Sequence, residues 1–287
     1  MLWRISRRLL AIAAIVILGG LTSATLVRFA PGFATDEQQL DPRLSAESLQ
    51  ALHQSHESER NVFLFYAAYL NRAWHGDLGI SHSLNMPVSS LLRDRFPVTL
   101  RLVGLGLALG WLIALGFALT SALARVTAYS FFAIGFSGAL LCLPAAVLAL
   151  LSVVLNTPGY LAIALLVFPK VFTYSRGLLE KAYCSSHIVS ARAKGLGPLR
   201  ILCWHVFPVV APSLTAIAGV SVSMAIGSAI PIEALSGIAG VGDLAWQAAL
   251  ARDLPLLVNI TILVTVATLL TNYGAEIAGH AVRGQES

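Results

Sequence analysis

Apolar residues in this chain run for about 20 positions at a time, the length a helix needs to cross a hydrocarbon core of about 30 Å. The runs cover about Leu9–Val27, Thr99–Ala124, Ala128–Leu155, Tyr160–Tyr174, Val209–Ile230 and Leu256–Ala278. Of the 287 residues, 57% are hydrophobic and 11% charged, against roughly 45–50% and 25% in soluble domains. The pattern predicts an all-α membrane protein with six transmembrane helices. Arg4, Arg7 and Arg8, then Arg125, the Arg176–Arg200 group and Arg283 all fall on one side of such a bundle. Basic residues concentrate in cytoplasmic connections, so both termini are expected inside. The net charge of +5 then follows from topology and implies no nucleic acid.

The first run could also serve as a cleaved signal peptide, with Thr22-Ser23-Ala24 as the small-residue site. It is longer than the roughly 7–15 apolar residues of a signal core, which favours a retained N-terminal helix over residues 1–30. Residues 31–96 differ in kind, holding eight of the fourteen acids and four of the seven histidines. Topology puts them outside the membrane, with helical stretches expected over Ser45–His53 and Asn61–Trp74. His53 and His56 share a helical spacing, and with His75 and His82 they raise a metal reading. Exposed histidines of a polar loop are the better explanation, and no metal site is assigned. Cys142, Cys184 and Cys203 lack metal spacing, and their odd number argues against a disulfide framework. Residues 97–287 are expected to form a five-helix core.

Two connections in that core and one cation inside it carry the functional signal. The first connection, about residues 186–208, contains Val189, Ser190, Ala191, Arg192, Ala193, Lys194, Gly195 and Pro208. It is basic, punctuated by Gly and Pro, and flanked by spans, so it should present a short helix, about Ser186–Leu199, to a cytoplasmic partner. Gly195 would permit a sharp turn after that helix. Pro208 would impose an extended lead into the fifth span. The second connection runs from Glu233 through Gly237, Gly240 and Gly242 to Arg252-Asp253-Leu254-Pro255, with a short helix over Asp243–Arg252. Lys170 falls in the fourth span after Pro169. An ionisable group there either faces a translocation path or snorkels from a helix end.

The wording Ala191-Arg192-Ala193-Lys194-Gly195-Leu196, with Pro208 at the matching distance, resembles the coupling loop (the EAA loop) of ABC importer permeases of the dipeptide/oligopeptide/nickel branch. Val189, Ser190, His205 and Phe207 depart from the general loop pattern. Arg28-Phe29-Ala30-Pro31-Gly32, Gly76-Asp77-Leu78-Gly79-Ile80-Ser81 and Glu233 with Gly240-Val241-Gly242 and Arg252-Asp253-Leu254-Pro255 resemble further motifs of that family, in the same order. The resemblance implies a type I importer fold in a bacterial inner membrane. It implies a second permease subunit, usually a different chain, two ABC ATPase subunits and an extracytoplasmic substrate-binding protein. Residues 189–195 and Pro208 would then belong to the ATPase-coupling loop, and Lys170 and Glu233 to the translocation path. The solute would be a peptide, nickel or a metal chelate.

No enzymatic set is visible. Lys170, Lys181 and Lys194 follow Pro, Glu and Ala, so none completes a P-loop, and ATP would have to be bound by another chain. The chain therefore reads as a non-enzymatic subunit that needs no cofactor of its own. Two other readings remain: a self-contained secondary transporter or channel, which would favour inverted repeats, and a membrane subunit that has lost transport.

Overall fold

The computed structural model describes residues 14–22, 25, 71–72, 75–124 and 127–283. Residues 14–22 are helical. The Ser45–His53 helix, His53, His56 and the Arg28–Gly32 motif lie outside the described residues. So does all but the end of the Asn61–Trp74 helix. The remaining helices are α1 (Val88–Ala124), α2 (Thr127–Leu141), α3 (Ala145–Val154), α4 (Gly159–Tyr183), α5 (Ser186–Ala193), α6 (Pro198–Ile201), α7 (Phe207–Ser236), α8 (Val241–Leu250) and α9 (Leu254–Arg283). Among the described residues, four stretches are long and apolar enough to span a membrane: Val88–Leu123, Gly159–Tyr183, Pro198–Ser236 and Leu254–Gly279.

Two expectations are corrected. The third span is not one continuous helix: Phe131–Leu141 and Ala145–Val154 meet at a 100° bend. Pro144, which precedes α3 in an extended conformation (φ −65°, ψ 151°), marks the break; its ring and missing N–H cannot continue an incoming helix. Counted as one span, the pair gives a fifth. Pro208, in turn, is not preceded by extended chain. Residues 198–236 are helical throughout, and a π-helical turn over Leu202–Val206 leads directly into α7. The wider turn bonds Phe207 N–H to the Leu202 carbonyl, accommodating a proline that offers no donor of its own.

The chain divides into two compact units. The larger comprises residues 97–243 and 268–287. Its core centres on α4, whose Ile163, Val167, Val171 and Phe172 are almost fully buried. Helix α1 approaches α4 closely through Gly106 and Gly110, where a Cβ would meet Ile163 at 2.6 Å and the Ala164 carbonyl at 3.1 Å. Small residues four apart are a common way for membrane helices to bring their backbones together. Phe117 of α1 and Phe168 of α4 pack edge to face at 5.7 Å. Trp111 Nε1 donates to Ser221 Oγ of α7 at 2.9 Å.

The smaller unit comprises residues 1–96 and 244–267. In it the Gly76–Ser81 and Arg252–Pro255 motifs meet. Residues 79–88 turn back on themselves, with Ser81 N–H donating to Met86 O and Val88 N–H to Gly79 O. Asp253, 2% exposed, receives Ser81 Oγ at 2.6 Å, Ser83 Oγ at 2.8 Å and Ser83 N–H at 3.0 Å on one oxygen. Its other oxygen accepts Leu256 N–H at 3.1 Å, an N-cap interaction at the start of α9. Asn259 Nδ2 adds a bond to the Leu78 carbonyl at 2.9 Å.

Asp253→Ala therefore removes a helix cap and strands the buried Ser81 hydroxyl, at a cost of about 2–4 kcal/mol. In thermal unfolding of the detergent-solubilised chain, Ser81→Ala alone should cost about 1 kcal/mol. Added to Asp253→Ala it should cost almost nothing, because the two act as one unit.

Candidate functional site

Helix α4 ends at Tyr183, and only Cys184 and Ser185 separate it from α5. Ser185 Oγ bonds back to the Ala182 carbonyl at 2.5 Å, fixing the corner. Ile188 and Ala191 are buried, at 0% and 4% exposure, and anchor one face of α5 in the core that also holds Leu179, Ala182 and Tyr183. The opposite face is open: Val189, Ser190, Arg192 and Ala193 are exposed, as are Lys194 and Gly195 beyond it. The Arg192 guanidinium lies 5.7 Å from the Tyr183 ring centroid, within cation–π range, so it is held against α4. The expected helix over Ser186–Leu199 is shorter, closing at Ala193.

Gly195 explains the closure. Its φ of +76° is left-handed. Gly195 N–H bonds to Arg192 O, and Leu196 N–H to Ala191 O, at 2.9 and 3.3 Å. These paired bonds satisfy the last carbonyls of α5, and glycine is the residue that adopts this conformation without penalty. A Cβ there would meet nothing within 4 Å, so the requirement is conformational rather than steric. Arg200 and Leu199 of α6 and Trp204 of the π-helical turn are also exposed, so the surface around α5 combines three cations with apolar side chains.

Lys170 lies near the middle of α4, about 16 Å from its first residue at 1.5 Å per residue. It is half-buried, and its Nζ sits 5.6 Å from the Tyr174 ring centroid. Glu233 occupies a different setting, with no exposed surface. Its Oε2 accepts Gly242 N–H at 2.6 Å and Asp243 N–H at 3.4 Å, while Thr99 Oγ1 accepts Val241 N–H at 2.8 Å. The first three N–H groups of α8 are thereby provided for by side chains from outside the helix. The Gly-x-Gly pattern follows from this. A Cβ on Gly240 would overlap the Glu233 carboxyl, and one on Gly242 would meet Ile230 Cα at 2.6 Å.

Sequence reasoning singled out Glu233 and the glycines without recognising that they serve one another, and it missed Ser81, Ser83 and Asp253 as a set. Among the described residues no three His, Cys, Asp or Glu side chains gather as a metal site. The cysteines are free thiols.

Residues 106–283 match the family model described as binding-protein-dependent transport system inner membrane component. The oligopeptide transport system permease protein OppB of Salmonella typhimurium is 30% identical over 262 residues, covering 83% of this chain and 84% of that protein. OppB of Haemophilus influenzae is 26% identical over 270 residues, covering 86% and 87%. A solved inward-facing structure of the MetNI methionine ABC transporter aligns with a TM-score of 0.60 at 15% identity, over 68% of this chain and 97% of that one. It establishes the fold.

The Glu233–glycine contact predicts a specific non-additivity. Gly240→Ala should destabilise the chain by about 1–3 kcal/mol through overpacking. In a Glu233→Ala background most of that increment should vanish, because the overlapping group is gone. Glu233→Gln, which keeps an acceptor for Gly242 N–H, should be milder than Glu233→Ala in the same thermal assay.

Proposed function

This chain belongs to the family of binding-protein-dependent transport system inner membrane components, and we propose that it forms half of the translocation path of an ATP-driven peptide importer. As an ABC importer permease it is a membrane transport component rather than an enzyme. Peptides are favoured as cargo because the relatives that cover most of its length are oligopeptide permeases. The single observation that carries the mechanism is the short helix α5: anchored by Ile188 and Ala191, capped at Gly195, and open along Val189, Ser190, Arg192 and Ala193.

In this reading α5 seats in a cleft of an ABC ATPase subunit. Small side chains at Ser190 and Ala193 let the partner's backbone approach, and Arg192, Lys194 and Arg200 meet its carboxylates. Pro208 belongs to the same loop, placing α7 behind the docking helix. Two ATPase subunits, a second and different permease chain and an extracytoplasmic binding protein complete the assembly. Both termini and residues 186–208 lie on the cytoplasmic side. Residues 1–30 supply the first membrane helix, 31–96 an extracytoplasmic segment, and 97–287 the core. Lys170 faces the path, and Glu233 shapes its outer end by holding the turn between α7 and α8. ATP binding and hydrolysis drive switching only if the ATPases bind the two permease states with different affinity.

The test is affinity purification of the full chain from its native membrane in mild detergent, with mass spectrometry of the co-purifying chains. An ABC ATPase and a second permease should accompany the native protein. Val189→Trp is the variant of choice, since Val189 is 60% exposed and the larger ring meets the partner rather than the bundle. It should lose the ATPase and retain the second permease. A native chain that purifies alone and conducts solute in liposomes without ATP would instead establish a self-contained transporter.

A further inference from the structure

Helix α4 is the most enclosed of the spanning helices, yet one of its faces is open and polar. Along its second half Lys170, Thr173, Tyr174, Gly177 and Lys181 recur at intervals of three and four residues, and none is buried. Residues so spaced lie on one side of a helix. The open faces of the neighbouring α2 and α3 are apolar, with Phe131, Phe132, Val154 and Leu150 from 51 to 81% exposed, as contact with lipid requires. A face carrying an ammonium, a hydroxyl and a phenol is unsuited to hydrocarbon, where ionisable groups turn toward the bundle interior or a water-filled cavity.

The sign of the charge is the informative part. Among the described residues no carboxylate comes within ion-pair distance of Lys170; its contact is the Tyr174 ring. The Thr173 hydroxyl already bonds to Ser137 Oγ at 3.3 Å, and Ser137 Oγ also reaches the Pro169 carbonyl. Among the described residues the ammonium thus has no carboxylate partner; farther along α4, Lys181 is exposed and the nearby Glu180 is already paired with Arg176. A fixed cation of this kind attracts anionic groups and repels cations over several ångströms, more strongly where water is scarce.

We propose that the open face of α4 around Lys170 is an anion-selective station of the path, which receives a solute through a carboxylate group and disfavours bare metal cations. Lys170 is its specificity-determining residue, and Tyr174 holds the ammonium in place. This rests on the reading that α4 lines the path, and it refines the cargo: a peptide with a free carboxyl terminus fits, and a free divalent cation does not.

The test uses the full chain in native membrane vesicles, with Cys142, Cys184 and Cys203 replaced by Ser and Thr173→Cys added beside Lys170. The probes are two thiol reagents of similar size, carboxyethyl methanethiosulfonate and trimethylammonioethyl methanethiosulfonate. With Lys170 present the carboxylate reagent should react faster. In Lys170→Met the ratio of the two rates should fall about tenfold, the effect of removing a unit charge about 6 Å from reagents of opposite sign in a watery dielectric. Lys170→Arg should restore it. Lys170→Gln takes the place of Lys170→Met if the latter is lost from the membrane fraction. Labelling by both reagents with a ratio indifferent to residue 170 would keep α4 in the path and overturn its anion selectivity. Labelling by neither would remove α4 from the path and the station with it. Loss of the second permease from Lys170→Met, with retention in Lys170→Arg, would show that Lys170 pairs with the partner subunit, which also overturns the proposal.

Discussion

A backbone N–H at the start of a helix must find an acceptor, and away from water only a protein group can provide one. The architecture of the connections leading into α8 and α9 follows from that demand. Glu233 and Asp253 are the two buried acidic side chains among the described residues, and each faces the beginning of a helix. Glu233 bonds the first turn of α8, and Asp253 bonds that of α9. A carboxylate suits both places, because helix N-termini carry partial positive charge. Beside these local bonds stand long-range ones: Thr99 to Val241 in one unit, and Ser81 and Ser83 to Asp253 in the other. Irregular backbone is tolerated at membrane depth only when buried and satisfied in this way. Motifs that look like separate punctuation in the sequence are therefore the two halves of single hydrogen-bonded units.

Hydropathy made the spans legible because a membrane helix needs a long apolar run and little else. The second, fourth, fifth and sixth runs each lie within a helix that extends beyond them, at Val88–Ala124, Gly159–Tyr183, Phe207–Ser236 and Leu254–Arg283. The third run misled, because apolarity carries no information about direction. Pro144 turns the chain through 100° without interrupting the run of hydrophobic residues. Pro208 misled for the converse reason. Proline disfavours helix before it, but a π-helical turn over Leu202–Val206 absorbs the missing donor and the helix continues. At Pro144 the local rule held and the helix broke; at Pro208 the wider turn let the helix continue.

The candidate site divides in the same way. Gly195 was readable as a turn, and its φ of +76° supplies the reason. The helix before it came out shorter because the cap acts at Ala193 rather than Leu199. The pairing of Glu233 with Gly240 and Gly242 was hidden, since the sequence shows an acid seven and nine residues before the two glycines but not which group fills which space. Asp253 and Ser81, 172 positions apart, were beyond any local reading.

The same economy bears on the coupling proposed for α5. Cys184 and Ser185 join α4 to α5 with both N–H groups bonded, to Glu180 and Ala182 carbonyls, so the corner has no slack. Arg192 on Tyr183 and the buried Ile188 tie α5 to the same end of α4. If α5 is the docking helix, an ATPase cannot displace it without turning α4. Helix α4 packs against α2, α3 and α7 and carries Lys170 on its one open face. A rigid corner of this kind would convert a displacement of the short surface helix into movement of the long buried one, a rigid-body form of coupling. If Lys170 also faces the path, as proposed, it would be moved together with α4 by the nucleotide cycle. Its exposure to solute would then change with the state of the ATPases, without any change in the hydrogen bonds of Glu233 and Asp253.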